Sequence, residues 1–325
     1  MKAFVLEYGE LKIKEMDESV AGPHEVVVAL RAAGLNRRDL SIQNRMGNDK
    51  EALILGSDGA GVIEFVGEGV SRFSVGDEVI INPALRWYDN SDAPPIGFDI
   101  LGMPDHGTFA EKITLSEEQV EIKPENLTWE EASVFALAAL TGYRALFTKG
   151  QIKRGETVFI PGAGSGVATY LISFAKNIGA RVIVSSRSED KRNKARELGA
   201  DLVIDTNSNW NEELANETVD IVIDSVGAAT FNRSLDVLKK GGRIVIFGAT
   251  TDDYIDFNLR KFFYGQYQLI GSTMGSRQEL QAALDHMENY DMKPVIDRTF
   301  ALDEVQAAFD YLKEGKQFGK VALRI

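Results

Sequence analysis

The residues with the clearest chemical potential in this chain are a run of small ones. Thr157-Val158-Phe159-Ile160-Pro161 reads as a strand, and Gly162-Ala163-Gly164-Ser165-Gly166-Val167-Ala168 as a tight turn that opens a helix. Small side chains let the backbone approach a pyrophosphate, and the free N–H groups at a helix start favour its negative charge. Gly164, Ser165, Gly166 and Val167 are therefore candidate contacts for a dinucleotide. No frame gives a strict G-x-G-x-x-G; in the frame that best suits the helix, Ala163, Ser165 and Ala168 stand at the glycine positions. The competing explanation for the same residues is a glycine-rich turn that packs a helix close to a strand.

About 20 residues further on, an NAD site usually presents an Asp or Glu to the ribose hydroxyls. Here Ser185-Ser186-Arg187-Ser188 occupy that place, with no carboxylate before Glu189. Ser186, Arg187 and Lys191 could instead meet a 2′-phosphate, which binds well to guanidinium forks and charge-assisted donors. The cofactor expected is therefore NADP(H). The plainer alternative is that Arg187, Lys191, Arg192 and Lys194 form a solvated helix face.

These residues need a scaffold, and the pattern around them supplies one. From Gly155 onward strands alternate with helices: Thr157–Ile160, Arg181–Ser185, Leu202–Ile204, Ile221–Asp224 and Arg243–Phe247 as strands, with helices at Val167–Ile178, Asp190–Leu198, Trp210–Ala215 and Thr230–Lys239. Continuously apolar strands such as Val182-Ile183-Val184 belong in a sheet buried on both faces, and the alternation predicts a doubly wound parallel sheet. Before this, the first third is β-rich. Lys2–Glu7, Leu11–Lys14, Glu25–Leu30, Gly61–Phe65 and Glu78–Ile81 are short strands, and the turn signals from Val66 to Asp77 suit a partly open barrel. Residues 82–105, with four prolines, read as a long irregular surface loop. Thr128-Trp129-Glu130-Glu131 is a capping box, predicted to start a long apolar helix reaching about Phe147. After Tyr267–Ser272, a helix from Gln278 and a final helix–strand unit complete the chain, the tail packing back onto the first domain.

Bulk composition narrows the function classes. The chain has 325 residues, enough for about two domains of roughly 150. The 49 acidic against 36 basic residues give a formal net charge of −13, which on average repels a phosphodiester backbone and argues against nucleic acid as a partner. Cysteine is absent, which excludes disulfides, thiolate metal sites and a cysteine nucleophile, and fits a reducing compartment, so cytoplasm is expected. The longest apolar run, Ala132 to Leu140, is far short of the roughly 20 residues a membrane span needs, and Met1–Glu7 turns polar too early for a signal peptide.

Several motifs carry a resemblance over essentially the whole chain. Ala33-Gly34-Leu35-Asn36-Arg37-Arg38-Asp39, Leu55-Gly56-Ser57-Asp58-Gly59-Ala60-Gly61, Gly107-Thr108-Phe109-Ala110-Glu111, Leu140-Thr141-Gly142-Tyr143-Arg144-Ala145-Leu146 and Phe318-Gly319-Lys320 resemble medium-chain dehydrogenase/reductases. The likeness is to the zinc-free, quinone oxidoreductase-like branch often named zinc-type alcohol dehydrogenase-like. It implies an α/β fold: a GroES-like β-barrel catalytic domain (1–126), a Rossmann NADP-binding domain (127–274) and a C-terminal return to the catalytic domain (275–325). It also implies a cofactor in the interdomain cleft.

By motif position, the zinc ligands of zinc-dependent members become Asn36, Ser57–Asp58 and Leu137, of which only Asp58 suits zinc, so no metal is expected. Carried across in the same way, Asn36 and Thr141 lie near the nicotinamide. Val226 and Gly227, then Phe247, Gly248 and Ala249, line the cofactor, and Ser272, Thr273 and Met274 reach its nicotinamide end. Each has a packing alternative, strongest for Phe247. Asn36, Arg45 and Ser57 are the candidate catalytic side chains, with Asn36 and Arg45 as donors to an oxygen that gains charge. Asp39 is read as structural, and Trp87 and Tyr88 as either a lid or a pin for their loop. Relatives of this branch that carry a Tyr near Ser41, or one in place of Thr206, differ from this chain there.

The resulting expectation is zinc-independent hydride transfer from NADPH to a quinone or an α,β-unsaturated carbonyl. Alternatives are alcohol dehydrogenase or aldehyde reductase activity, and a non-catalytic NADPH-sensing protein. A homodimer is expected through the apolar edge strand Leu269-Ile270-Gly271-Ser272. The shape of the substrate site is expected to depend on loops 43–50, 84–105 and 274–278.

Overall fold

The computed structural model describes residues 1–46 and 51–325; of the loop 43–50, residues 47–50 lie outside the described residues. The chain divides into two compact units: residues 1–140 together with 275–325, and residues 141–274.

The first unit is built on strands whose small residues permit close packing. Its larger sheet has the order Val120–Ile122, Glu78–Ile81, Asp58–Val66, Glu25–Leu35, Lys320–Arg324, Ile296–Ala301, and Lys112–Ser116 also pairs with Glu25–Leu35. A second sheet joins Glu10–Glu15, Lys2–Glu7 and Leu53–Ile54. Glu25–Leu35 is longer than its alternating pattern predicts because it serves two partners at once. Its first half pairs with Lys112–Ser116, its second half with Lys320–Arg324, and Asp58–Val66 runs along most of its length. Strand Ile296–Ala301, parallel to Lys320–Arg324, was not anticipated; its half-buried residues show no sharp alternation to read.

Two expectations for this unit need correction. Residues 82–105 are not simply a surface loop. They contain the paired short strands Ala84–Leu85 and Asp99–Ile100, and Trp87 is fully buried edge-on against Phe98. The Trp87 and Tyr88 carbonyls accept the Arg277 and Gln278 N–H groups at the start of helix Arg277–Asn289, so Trp87 pins the segment. The capping box at Thr128 forms, but the helix it starts is interrupted: Trp129–Ser133 is followed by Ala136–Tyr143 and then by a π-type segment, Arg144–Lys149. The first break has a tertiary cause. A Cβ on Gly34 would stand 2.6 Å from the Ser133 carbonyl, so the helix end docks directly on strand backbone.

The second unit holds a six-stranded, wholly parallel sheet in the order Leu202–Asp205, Arg181–Ser186, Thr157–Pro161, Val219–Asp224, Leu238–Ile246, Gln268–Gly271. This is the doubly wound topology with its switch point beside Thr157–Pro161. Every residue of Thr157–Pro161 and of Val219–Asp224 is buried, as strands covered by helices on both faces must be. One face packs Phe159, Ile183, Trp210, Val222, Phe231 and Ile244 into a single apolar cluster.

Candidate active site

In the second unit, the candidate nucleotide residues gather at the carboxyl ends of the strands. Helix Gly166–Asn177 is capped by Ser165, whose Oγ accepts from the Ala168 N–H at 3.1 Å. Ser165 is thus committed as a cap through its side chain, while the Gly166 and Val167 N–H groups belong to the first helical turn, which has no intrahelical acceptors. Gly164 holds φ +109, a backbone state that an L side chain rarely adopts, and a Cβ there would press on Lys191 Cδ at 2.8 Å. The Lys191 stem therefore lies across the glycine turn. The Gly162 and Ala163 N–H groups both donate to the Ser185 carbonyl, which anchors the turn to the end of the second strand.

The basic run after that strand separates into parts with different roles. Arg187 is exposed, and Ser186 is buried with its Oγ accepting from the Ser188 N–H at 3.2 Å. Arg192 is structural, donating to the Ser186 carbonyl and to Asp205. Lys194 pairs with Asp190 along its helix. Arg187 thus stands exposed just before this helix, while the Lys191 stem lies over the glycine turn.

The fourth strand ends in Asp224, which sequence reasoning missed. Its carboxylate accepts from the Val226 and Gly227 N–H groups and from Thr230 Oγ1, and burial raises its pKa against those donors. This bracing sets the turn where Val226 and Gly227 sit. The Thr251 N–H donates to the Val226 carbonyl, Gly227 (φ +89) lies against the backbone of Ala249, and Gly248 lies against Ser225. Val226 also reaches the glycine turn, because a Cβ on Gly162 would meet its Cγ2 at 3.0 Å. Phe247 is half-buried, and its N–H donates to the Asp224 carbonyl. The Ser272 N–H donates to the Ile246 carbonyl, and Thr141 Oγ1 lies 3.8 Å from Met274 Sδ. Crowding that only glycine tolerates, beside an anion-favouring helix start, fits a dinucleotide.

The candidate catalytic residues belong to the first unit. Asn36 and Ser57 are buried there, whereas Arg45 is exposed in the last turn of helix Asp39–Met46. Ser57 is not available as a reactive hydroxyl: its Oγ accepts from Arg38 Nη1 at 2.7 Å and donates to the Leu101 carbonyl at 2.7 Å. Asn36 joins a cluster around Asp58, which has no solvent exposure. Asp58 Oδ1 accepts from the Leu137 N–H at 2.7 Å, and Oδ2 accepts from Asn36 Nδ2 at 2.9 Å and from Lys320 Nζ at 3.0 Å. Lys320 Nζ also donates to Asn36 Oδ1 at 2.6 Å. Lys320 was visible in the sequence only as part of a terminal motif, and its place directly before the apolar run Val321-Ala322-Leu323 was its one physical signal. Asp39 caps the turn below, accepting from the Asn36 N–H at 2.7 Å, and burial pushes its carboxyl up to about 6.

Comparisons with known proteins find relatives along the whole chain. Residues 22–125 match the alcohol dehydrogenase GroES-like domain, and residues 166–289 match the zinc-binding dehydrogenase family. A zinc-type alcohol dehydrogenase-like protein of Leptosphaeria maculans is 31% identical, covering 98% of this chain and 95% of its own. The chain belongs to the medium-chain dehydrogenase/reductase superfamily. An acryloyl-coenzyme A reductase of Metallosphaera sedula is 30% identical over 96% of both chains. Among solved structures, an NAD-dependent alcohol dehydrogenase superposes with TM-score 0.91 at 33% identity over the whole of both chains. A 2-octenoyl-CoA carboxylase reductase in complex with NADP and 2-octenoyl-CoA superposes with TM-score 0.87 at 27% identity, covering 99% of this chain and 87% of its own.

The matched family's name implies a zinc ion, and the residues present do not fit one. Zinc requires several nitrogen, sulfur or carboxylate donors arranged around it. Here the carboxylate of Asp58 is already taken up by three N–H donors, one of them an ammonium. Among the described residues, no group of three or more His, Cys, Asp or Glu side chains could hold a metal ion. As a member of this superfamily the chain is an oxidoreductase.

Proposed function

We propose that this protein is a zinc-independent, NADPH-dependent reductase of quinones or α,β-unsaturated carbonyl compounds. The observation that carries the reading is the pairing of two features: a braced nucleotide turn flanked by Arg187 and Lys191, and a buried Asp58 whose partners are donors. The bound cofactor supplies the hydride from its nicotinamide ring. The chain's own residues bind and orient. Gly164, Ser165, Gly166 and Val167 receive the pyrophosphate, and Ser186, Arg187 and Lys191 the 2′-phosphate. Val226, Phe247, Gly248 and Ala249 line the cofactor, and Thr141, Ser272 and Met274 its nicotinamide end. Asn36 presents a carboxamide N–H to the acceptor oxygen as it gains charge. Arg45 is the second candidate donor to that oxygen, and the proton that completes reduction comes from water or the ribose hydroxyl. Ser57 keeps a supporting role through Arg38.

The division of labour is part of the proposal, with residues 1–126 and 275–325 as the catalytic domain and 127–274 as the cofactor domain. So is a homodimer formed through the edge strand at 269–272, and a cytoplasmic setting consistent with the absence of cysteine. The names of the acryloyl-CoA and 2-octenoyl-CoA relatives favour a conjugated acceptor, since both substrates carry a carbon–carbon double bond next to a thioester carbonyl. The alcohol dehydrogenase reading draws on the similar NAD-dependent alcohol dehydrogenase. A panel assay separates them: chelator-treated protein, NADPH or NADH, and a 1,4-quinone, an enone, an enoyl thioester, an aldehyde and an alcohol. Turnover with a quinone or conjugated acceptor and NADPH is expected. Turnover confined to the alcohol–aldehyde pair would replace this reading with the second, and tight NADPH binding with no turnover on any acceptor would favour a sensor.

A further inference from the structure

We infer that Lys320 is a tethered cation that positions Asn36 for catalysis and closes the Asp58 site to divalent metals. The inference rests on the hydride-transfer reading above for its catalytic half only. The Lys320 side chain is 4% exposed, and its ammonium sits between two oxygens, Asn36 Oδ1 at 2.6 Å and Asp58 Oδ2 at 3.0 Å.

This arrangement fixes which way the Asn36 carboxamide faces. With Oδ1 toward the ammonium and Nδ2 toward the carboxylate, both contacts are attractive. Turned over, the amide would set N–H groups against a cation and a carbonyl oxygen against an anion, two buried repulsions. One Nδ2–H is spent on Asp58, and among the described residues the other faces the Gly34 carbonyl at 3.4 Å, which is too long for a strong bond. That second hydrogen remains able to donate to an acceptor oxygen. A cation behind Oδ1 also polarises the amide and strengthens its N–H as a donor, as in any chain of hydrogen bonds in a low-dielectric interior. Lys320 thus acts through Asn36 and is a positioning residue.

The same contacts explain the misfit with zinc. An ion bridging Asn36 and Asp58 would have to displace an ammonium anchored to the backbone of strand Lys320–Arg324, whose Lys320 N–H donates to the Val295 carbonyl. A divalent ion held by this carboxylate would repel the ammonium across a short, poorly screened distance. The protein therefore carries its positive charge as a side chain.

The test combines metal analysis with kinetics on the full-length protein. Wild type purified without chelator is expected to hold less than about 0.1 zinc per chain, and added zinc should leave its melting temperature and turnover unchanged. Stoichiometric zinc, or activation by zinc, overturns metal exclusion. Lys320→Met alone strands a buried carboxylate and threatens folding, so the decisive variant is the neutral pair Asp58→Asn/Lys320→Met. It should fold, bind NADPH within about threefold of wild type, and lose at least about thirtyfold in kcat with little change in acceptor KM. Adding Asn36→Ala to that pair should cost almost nothing more, because Lys320 works through Asn36. Retained kcat in the double variant, or losses that multiply in the triple, overturns the positioning role. If wild type turns over no acceptor at all, the hydride-transfer reading falls and the positioning role falls with it, while the zinc titration still judges metal exclusion.

Discussion

At Asp39 a buried carboxylate has one oxygen bonded to the Asn36 N–H and the other without a hydrogen-bond partner among the described residues. Burial outweighs the nearby Arg38 and Lys320 cations and lifts its pKa from 3.8 to about 6. The folded state therefore binds this proton more tightly than the unfolded chain, and stability falls as pH rises from about 4 to about 6, a loss of about 3 kcal/mol. Asp39→Asn can keep the bond from Asn36 and removes the titration. The variant should be more stable than wild type at pH 7.5, by about 1–3 kcal/mol, and equal to it near pH 4 in denaturant melts. Lower stability at pH 7.5 would mean the carboxylate is needed as an anion. At the cofactor site, Arg187→Ala should weaken NADPH binding by about tenfold and leave NADH binding unchanged, as read by fluorescence titration. Equal weakening of both would return Arg187 to the solvated surface. Residue chemistry was legible where local pattern decides it, as in the Gly162–Ala168 turn. Asn36, Asp58 and Leu137 were brought to one site only through the resemblance, and the part of Lys320 was not legible, because its strand joins them from a distant point in the sequence.

Elements were readable to the extent that their own residues set their limits. The Thr128 cap begins its helix where the sequence indicates, because a capping side chain bonds within its own turn. The parallel strands were legible from apolar runs that only a doubly covered sheet explains. The break after Ser133 was not, since it is imposed by the backbone at Gly34. Nor was the buried role of Trp87, which depends on Phe98 and on helix Arg277–Asn289. The sheet of the first unit depends on similar close approaches: a Cβ on Gly61 would lie 2.2 Å from the Ala29 carbonyl and 2.8 Å from Leu30 Cα. Neither neighbour can swing aside as a side chain could. Gly61→Ala should therefore destabilise the protein by about 1–3 kcal/mol or more in a thermal or denaturant melt. A neutral effect would show that these paired strands can separate locally.

At the scale of the whole molecule, the second unit leaves apolar side chains in solvent along one sheet edge. Leu269 on strand Gln268–Gly271 is exposed, as are Leu259, Phe263 and Tyr264 on the helix Leu259–Gly265 that precedes it. Such an edge favours pairing with a second copy. Sedimentation at micromolar concentration should show a dimer, and Leu269→Lys should shift it to monomer without loss of the parallel sheet. A monodisperse wild-type monomer would remove the dimer from the account. Superfamily membership and overall architecture were legible because the motifs recur in order along the chain. The choice of acceptor was not, because it depends on loops whose shape no local pattern sets. The most direct test of the central claim is isotope transfer. Chelator-treated protein is given NADPH carrying deuterium at the transferring position of nicotinamide C4, together with an enone, and the product is read by mass spectrometry. The account predicts one deuterium on the β-carbon of the saturated product, formed faster with NADPH than with matched NADH. Reduction without deuterium in the product, or activity that appears only when zinc is restored, would contradict it.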